Sequence, residues 1–226
     1  MPIIVNQGMD YNVDMVMCID ATGSMDKIID NVKENALTLY QRFVEEMGKK
    51  SKSVAQLRIK IIAFRDFAVD SEPLVESDFF VLSEDGGAEA LYAFMDTIVA
   101  SGGGDLPENS LEALAVAFKS DWVRTGSIRR HVVMMFTDAA AIPLGEKAGC
   151  PGYPEGMPAD IAELRDWWEG QEMEPRAKRL LLFAPDMDPW SNMIDWTNTF
   201  HHASAAGDGM KDTDMEICIN LLVNSI

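Results

Sequence analysis

The chain has 226 residues, 47% apolar and 25% charged, a balance that suits one α/β domain with a full core and excludes a disordered or low-complexity chain. Its 19 basic and 37 acidic residues give a formal charge of −18, a field that repels phosphate backbones and anionic lipid, so neither nucleic acid nor a membrane is expected as a partner. Met1 to Tyr11 has no basic n-region or apolar h-region, and no apolar run approaches the roughly 20 residues of a membrane span. The three cysteines (Cys18, Cys150, Cys218) are an odd number, two of them inside apolar runs where a buried thiol is the simplest reading, so the expected location is cytoplasmic.

Val13 to Ile19 (VDMVMCI) is short and almost continuously apolar, which predicts a strand buried on both faces of a parallel sheet. Asp20 to Ser24 breaks it, and Met25 to Met47 repeats apolar residues at helical spacing until Gly48. Arg58 to Phe64 and Phe79 to Leu82 are two further strands, joined by an acidic loop short enough for an antiparallel edge pair. Ala88 to Val99 is helical, and Ser101-Gly-Gly-Gly-Asp-Leu-Pro-Glu108 is a loop feeding a helix that begins near Pro107. His131 to Thr137 is another buried strand, ending at Asp138. Residues 139–176 are richer in Pro and Gly and read as an insertion with one short helix around Pro158 to Glu169. A strand at Leu180 to Ala184, a short helix at Pro189 to Asn198 and a weaker strand at Phe200 to Ala205 follow, and Asp212 to Ser225 is read as a closing helix. No repeats or linkers interrupt this order, so residues 1–226 form one domain.

Strands alternating with helices predict a doubly wound three-layer α/β sandwich with a mostly parallel, Rossmann-like sheet and one antiparallel edge strand. Ligands of such sheets sit outside the carboxyl ends of the strands. Three segments bring oxygen donors to that edge. Asp20-Ala-Thr22-Gly-Ser24 turns one carboxylate and two hydroxyls inward from a single loop; Asp105 follows three glycines; Asp138 ends a buried strand. Hard oxygen donors of this kind suit Mg²⁺ or Mn²⁺ rather than zinc. Taken singly, each piece is as readily a helix cap or a flexible loop. Their convergence from three separate loops is what carries the reading.

The run IDATGSM (Ile19 to Met25), the loop GGGDLPENSLEAL (Gly102 to Leu114) and the strand end FTDA (Phe136 to Ala139) resemble the three loops of the metal-ion-dependent adhesion site of von Willebrand factor type A (VWA) domains. The resemblance implies direct metal coordination by Thr22 and Ser24, with Asp20 and Asp138 acting partly through water. It also implies an open coordination position that an acidic residue of a protein partner fills. Many members carry a threonine in the second loop where this chain has Asp105, so the site would set three carboxylates against one dication. YPEGMP (Tyr153 to Pro158), Trp167-Trp168 and FAPD (Phe183 to Asp186) are similar to bacterial VWA proteins linked to stress or tellurium-resistance systems.

The expected function is therefore a metal-dependent protein-interaction module without enzymatic activity. The rival is a Mg²⁺-dependent phosphohydrolase or nucleotide-binding enzyme. It is disfavoured because His131 lies at the far end of its strand and no Lys or Arg is expected beside the metal loops to stabilise a leaving phosphate. Arg65-Asp66 is the nearest charged pair after a strand end. His201 and His202 read as structural, and one of Trp167 and Trp168 as core. The insertion is expected to emerge on the metal edge and wall the binding surface.

Overall fold

The computed structural model describes residues 10–102, 107–170, 173–210 and 215–226. In chain order the elements are β1 (Asp10–Asp20), α1 (Asp26–Lys49), β2 (Ser53–Phe64), β3 (Leu74–Glu76), β4 (Phe80–Val81), α2 (Gly87–Thr97), α3 (Ser110–Phe118), β5 (Ile128–Phe136), α4 (Ile161–Glu169), β6 (Lys178–Pro185), α5 (Trp190–Met193), β7 (Thr199–Ser204) and α6 (Met215–Ser225). A short 3₁₀ turn, Gly23–Met25, joins β1 to α1.

The sheet runs β3-β2-β1-β5-β6-β7, with β4 also paired to β2. β2, β1, β5, β6 and β7 are parallel, whereas β3 and β4 run antiparallel to β2. The expected antiparallel edge beside β2 is present as β4, and the acidic loop after Phe64 adds a second short strand, β3, to the same edge. Other differences are local. α3 starts three residues after Pro107, and the expected helix at Pro189 to Asn198 is a single turn.

The period-2 alternation of β1 separates two cores. Val13, Met15, Met17 and Ile19 face the layer of α1, α2 and α6. Val16 and Cys18 face the layer of α3, α4 and α5. α1 buries Ile28, Ile29, Val32, Ala36, Leu39, Phe43 and Met47 on one stripe, as its helical spacing predicts. On the other side Trp168 is fully buried against Phe118, ring centroids 5.0 Å apart, while Trp167 stays half-exposed beneath the Lys119 ammonium. His201 bonds the Ala184 carbonyl at 2.9 Å, as a structural histidine should.

β1 is the topological switch point. The chain leaves it for β2 on one side and reaches β5 on the other, so a crevice opens between the carboxyl ends of β1 and β5. Asp20 ends β1 and Asp138 lies two residues beyond β5. No described helix is long and apolar enough to cross a membrane.

Candidate functional site at the carboxyl edge

The loop after β1 folds around its own aspartate. Asp20 Oδ1 accepts from the Thr22 backbone N–H at 3.0 Å and from Thr22 Oγ1 at 2.6 Å, and Asp20 Oδ2 accepts from Thr137 Oγ1 at 2.8 Å. Both carboxylate oxygens and the Thr22 hydroxyl are thereby oriented, and the hydroxyl proton is turned toward Asp20, leaving its lone pairs for another cation. Ser24 Oγ donates to Asp138 Oδ1 at 3.2 Å, tying the first loop to the third. Asp20 and Asp138 are fully buried and Thr22 nearly so, whereas Ser24 is exposed, so the set runs from the sheet edge out to solvent. Four of the five residues expected from the sequence therefore meet. Asp105 lies outside the described residues.

Neighbouring loops brace this crevice. Arg65, following β2, donates through Nε to the Ala21 carbonyl, through one terminal nitrogen to Glu72 and through the other to Val99. An arginine does stand beside the loops, contrary to expectation, but it holds three carbonyls rather than facing the carboxylates. Gly102 (φ 69°) holds a left-handed backbone conformation that favours glycine, and a Cβ there would also push aside the Asp70 carboxylate.

Sequence reasoning missed two contributors. The turn after β7 is one. Gly209 donates its N–H to Asp138 Oδ2 at 2.7 Å, and a Cβ on it would strike the Ser24 carbonyl at 2.0 Å. Glycine pairs in a polar loop mark a turn, but nothing local says which edge it covers. Glu108 is the other. It is 2% exposed, and its Oε2 has no hydrogen-bond partner among the described residues. It sits inside GGGDLPENS, where only its neighbour Asp105 was singled out.

Burial dominates the electrostatics. It lifts the Asp20 carboxyl to about 6 against the hydrogen bonds of Thr22 and Thr137, and the charge of Asp138 adds to the lift. Burial lifts Glu108 to about 8, reinforced by the charges of Asp20, Asp66, Asp70 and Asp138. Among the described residues no three carboxylate, thiolate or imidazole groups form a closed metal cluster. The arrangement is two carboxylates with two hydroxyls and an adjacent buried acid.

Residues 140–142 run beside Glu108 at this edge. Glu108 forms a parallel bridge with Ala141, donates its N–H to the Ala140 carbonyl at 2.9 Å, and accepts from the Ile142 N–H at 2.8 Å. Tyr153 fastens the outer part by donating to the buried Glu112 at 3.1 Å while accepting from the Gly145 N–H at 3.1 Å. This exposed stretch is therefore tethered by Tyr153 to one buried carboxylate.

A doubly wound sheet whose switch-point crevice gathers aspartates and hydroxyls from separate loops defines a class of oxygen-lined site domains. A family model of the von Willebrand factor A domain matches residues 14–144, and the chain belongs to that family. Among solved structures, the pilus adhesin SpaC from Lactobacillus rhamnosus GG is similar over 96% of this chain and 31% of that one, at 10% identity and a TM-score of 0.56. Its open conformation gives the same identity and score over 30% of that chain. Proximal thread matrix protein 1 from the mussel byssus is similar over 95% of this chain and 46% of that one, at 13% identity and a TM-score of 0.51. These likenesses are of fold, and the chain spans under half the length of each. No curated relative matches the sequence.

Proposed function

We propose that this VWA domain is a protein-interaction module that engages its partner through a divalent cation, Mg²⁺ or Mn²⁺, rather than an enzyme. Asp20, Thr22, Ser24 and Asp138 would hold the ion, with Asp105 as a further ligand by family resemblance and Glu108 as a buried carboxylate beside it. The observation that carries the reading is the burial of three carboxyl groups together with no cationic side chain bonded to them among the described residues. Asp20, Asp138 and Glu108 are withdrawn from water at one edge, Glu108 Oε2 has no partner among the described residues, and Arg65 is bonded to carbonyls instead. Buried carboxylates without a cation are costly, and a hard dication with oxygen ligands is the natural complement. The chemistry such an ion supplies is Lewis acidity toward one more oxygen, here a carboxylate of the partner. The adhesin relatives in fold are compatible with that role. The bonded donors of Arg65, and the placement of His131 beside Val123 at the opposite edge, speak against phosphoryl transfer.

Ion held at about 100 times its dissociation constant should add about 2.7 kcal/mol of stability, a rise in Tm of roughly 5–10 °C for a chain of this size. Asp20→Asn keeps one acceptor oxygen for Thr22, can donate its amide to Thr137 Oγ1 after that hydroxyl rotates, and should lose that gain. Equal melting of the wild type in Mg²⁺ and in chelator would defeat the proposal. In a second experiment, protein partners captured from lysate in Mg²⁺ should be released by chelator and absent with Asp138→Asn. Partners retained under both conditions would show that the ion is not the contact.

A further inference from the structure

Beside the crevice lies an apolar groove of about 310 Å³ whose lining includes Leu111, Ala141, Leu144, Ile161 and Pro189, with the carboxylates of Asp160 and Asp188. It opens on the same edge for a topological reason: Ala141 and Leu144 follow Asp138, and Pro189 follows the end of β6. Its wall is pinned to the site by the bridge between Glu108 and Ala141. Ala141 is three residues beyond Asp138, so their backbones are at most about 10 Å apart, the reach of about three residues of extended peptide. The volume is at the low end for ligand pockets and fits one or two side chains rather than a cofactor. Ile161 is 37% exposed at the first position of α4.

The two carboxylates set the sign of the occupant. Asp160 caps α4 by accepting from the Ala162 and Glu163 N–H groups at 2.9 Å, and Asp188 accepts from Asn192. Neither has an ion-pair partner among the described residues, and no Lys or Arg lines the groove. A second copy of this chain, at −18, would bring a like-signed surface to that rim. A basic partner would not.

We infer that this groove is the second anchor for the partner's metal-binding segment: it seats one bulky aliphatic or aromatic side chain about three residues from the metal-bound acid, with a Lys or Arg of the same segment against Asp160 and Asp188. The inference rests on the metal-dependent reading above and adds a sequence pattern to it: an acid, a short spacer, an apolar residue and a basic neighbour. The acid would supply one further oxygen to the ion, and the apolar residue would give the segment its register.

The test is a randomised peptide library displayed on phage, panned on the full chain in Mg²⁺ and eluted first with chelator and then with acid. Enriched peptides are then synthesised and titrated against variants. The expected outcome is peptides carrying that pattern, bound at least roughly tenfold more weakly by Ile161→Asp and by Ala141→Arg. Asp at the first turn of α4 suits the helix dipole, so Ile161→Asp should fold and keep the Mg²⁺-dependent melting gain. Asp160→Asn combined with Asp188→Asn preserves the cap and should weaken binding while flattening its salt dependence. Chelator-eluted peptides that lack the apolar residue, or bind Ile161→Asp as well as wild type, would overturn the groove and leave the metal reading standing. Peptides sensitive to Ile161→Asp but indifferent to chelator and to Asp20→Asn would overturn the coupling of groove to ion and the metal reading with it. Self-association of the chain that Ile161→Asp abolishes would also overturn the inference, in favour of a second copy.

Discussion

Without metal, wild-type protein is expected to fall in thermal stability relative to Glu108→Gln as pH rises from about 4.5 to about 8, and to recover when Mg²⁺ is added. Glu108 has its carboxyl raised from 4.5 to about 8 in the fold, chiefly by burial. A group that holds its proton more tightly in the folded than in the unfolded chain contributes stability that is present below the unfolded value. That contribution is lost as pH climbs through the folded one. Asp20, raised from 3.8 to about 6, contributes in the same sense over a lower window. Comparison with Glu108→Gln cancels the opposite slopes of ordinary surface carboxylates, since both proteins share them. At pH 5 the two should melt nearly together, and at pH 8 the glutamine variant should melt higher. A dication reverses the sign, because it favours the ionised carboxylates, so the Mg²⁺ gain in the wild type should grow between pH 6 and 8. Parallel metal-free pH profiles for the two proteins would show that Glu108 is hydrated rather than buried.

Arg58→Met is expected to cost about 3–5 kcal/mol, a fall in Tm of roughly 6–20 °C. Arg58 and Asp14 face each other across β2 and β1 in register, and the guanidinium grips the carboxylate at 2.7 and 2.6 Å. It also donates to the Asp121 carbonyl and lies over the Phe79 ring, while Asp14 accepts from the Val123 N–H at 2.6 Å. Asp14 is fully buried, so removing the cation leaves a charge with only one backbone donor. The cost is that stranded charge more than the lost attraction. Adding Asp14→Asn to Arg58→Met should therefore recover a large part of the loss, since the amide oxygen still accepts from Val123. A drop under about 1 kcal/mol in the single variant, or no recovery in the double, would show that water reaches Asp14.

Much of the molecule was legible along the chain because its signals are local. The run of β1 is apolar on both faces, and the stripe of α1 recurs every three or four residues from Ile28 to Met47. Alternation of such segments specifies a doubly wound sheet, and a switch-point rule then says which ends of the strands to search. Asp20, Thr22, Ser24 and Asp138 were picked out in that way, each lying at or just past a strand end. Other residues carry no such mark. Asp14 looks like a blemish in an apolar strand until its register neighbour Arg58 is known, and that register is set by pairing across 44 residues. Trp167 and Trp168 are indistinguishable by type, and only the packing of α4 on Phe118 buries the second.

The sequence by itself determined the class of fold and the oxygen-donor loops, because strand period, helix period and loop composition act within a few residues of one another. Tertiary structure alone decided three further things: that Glu108 is withdrawn from water with an oxygen unpartnered among the described residues, that the glycine turn at Gly209 closes over Asp138, and that Ala141, Leu144 and Ile161 come together in an apolar groove. Each depends on segments separated by tens of residues meeting at one edge. Burial, which raises the Glu108 carboxyl, is a property of what surrounds a residue and not of its place in the chain.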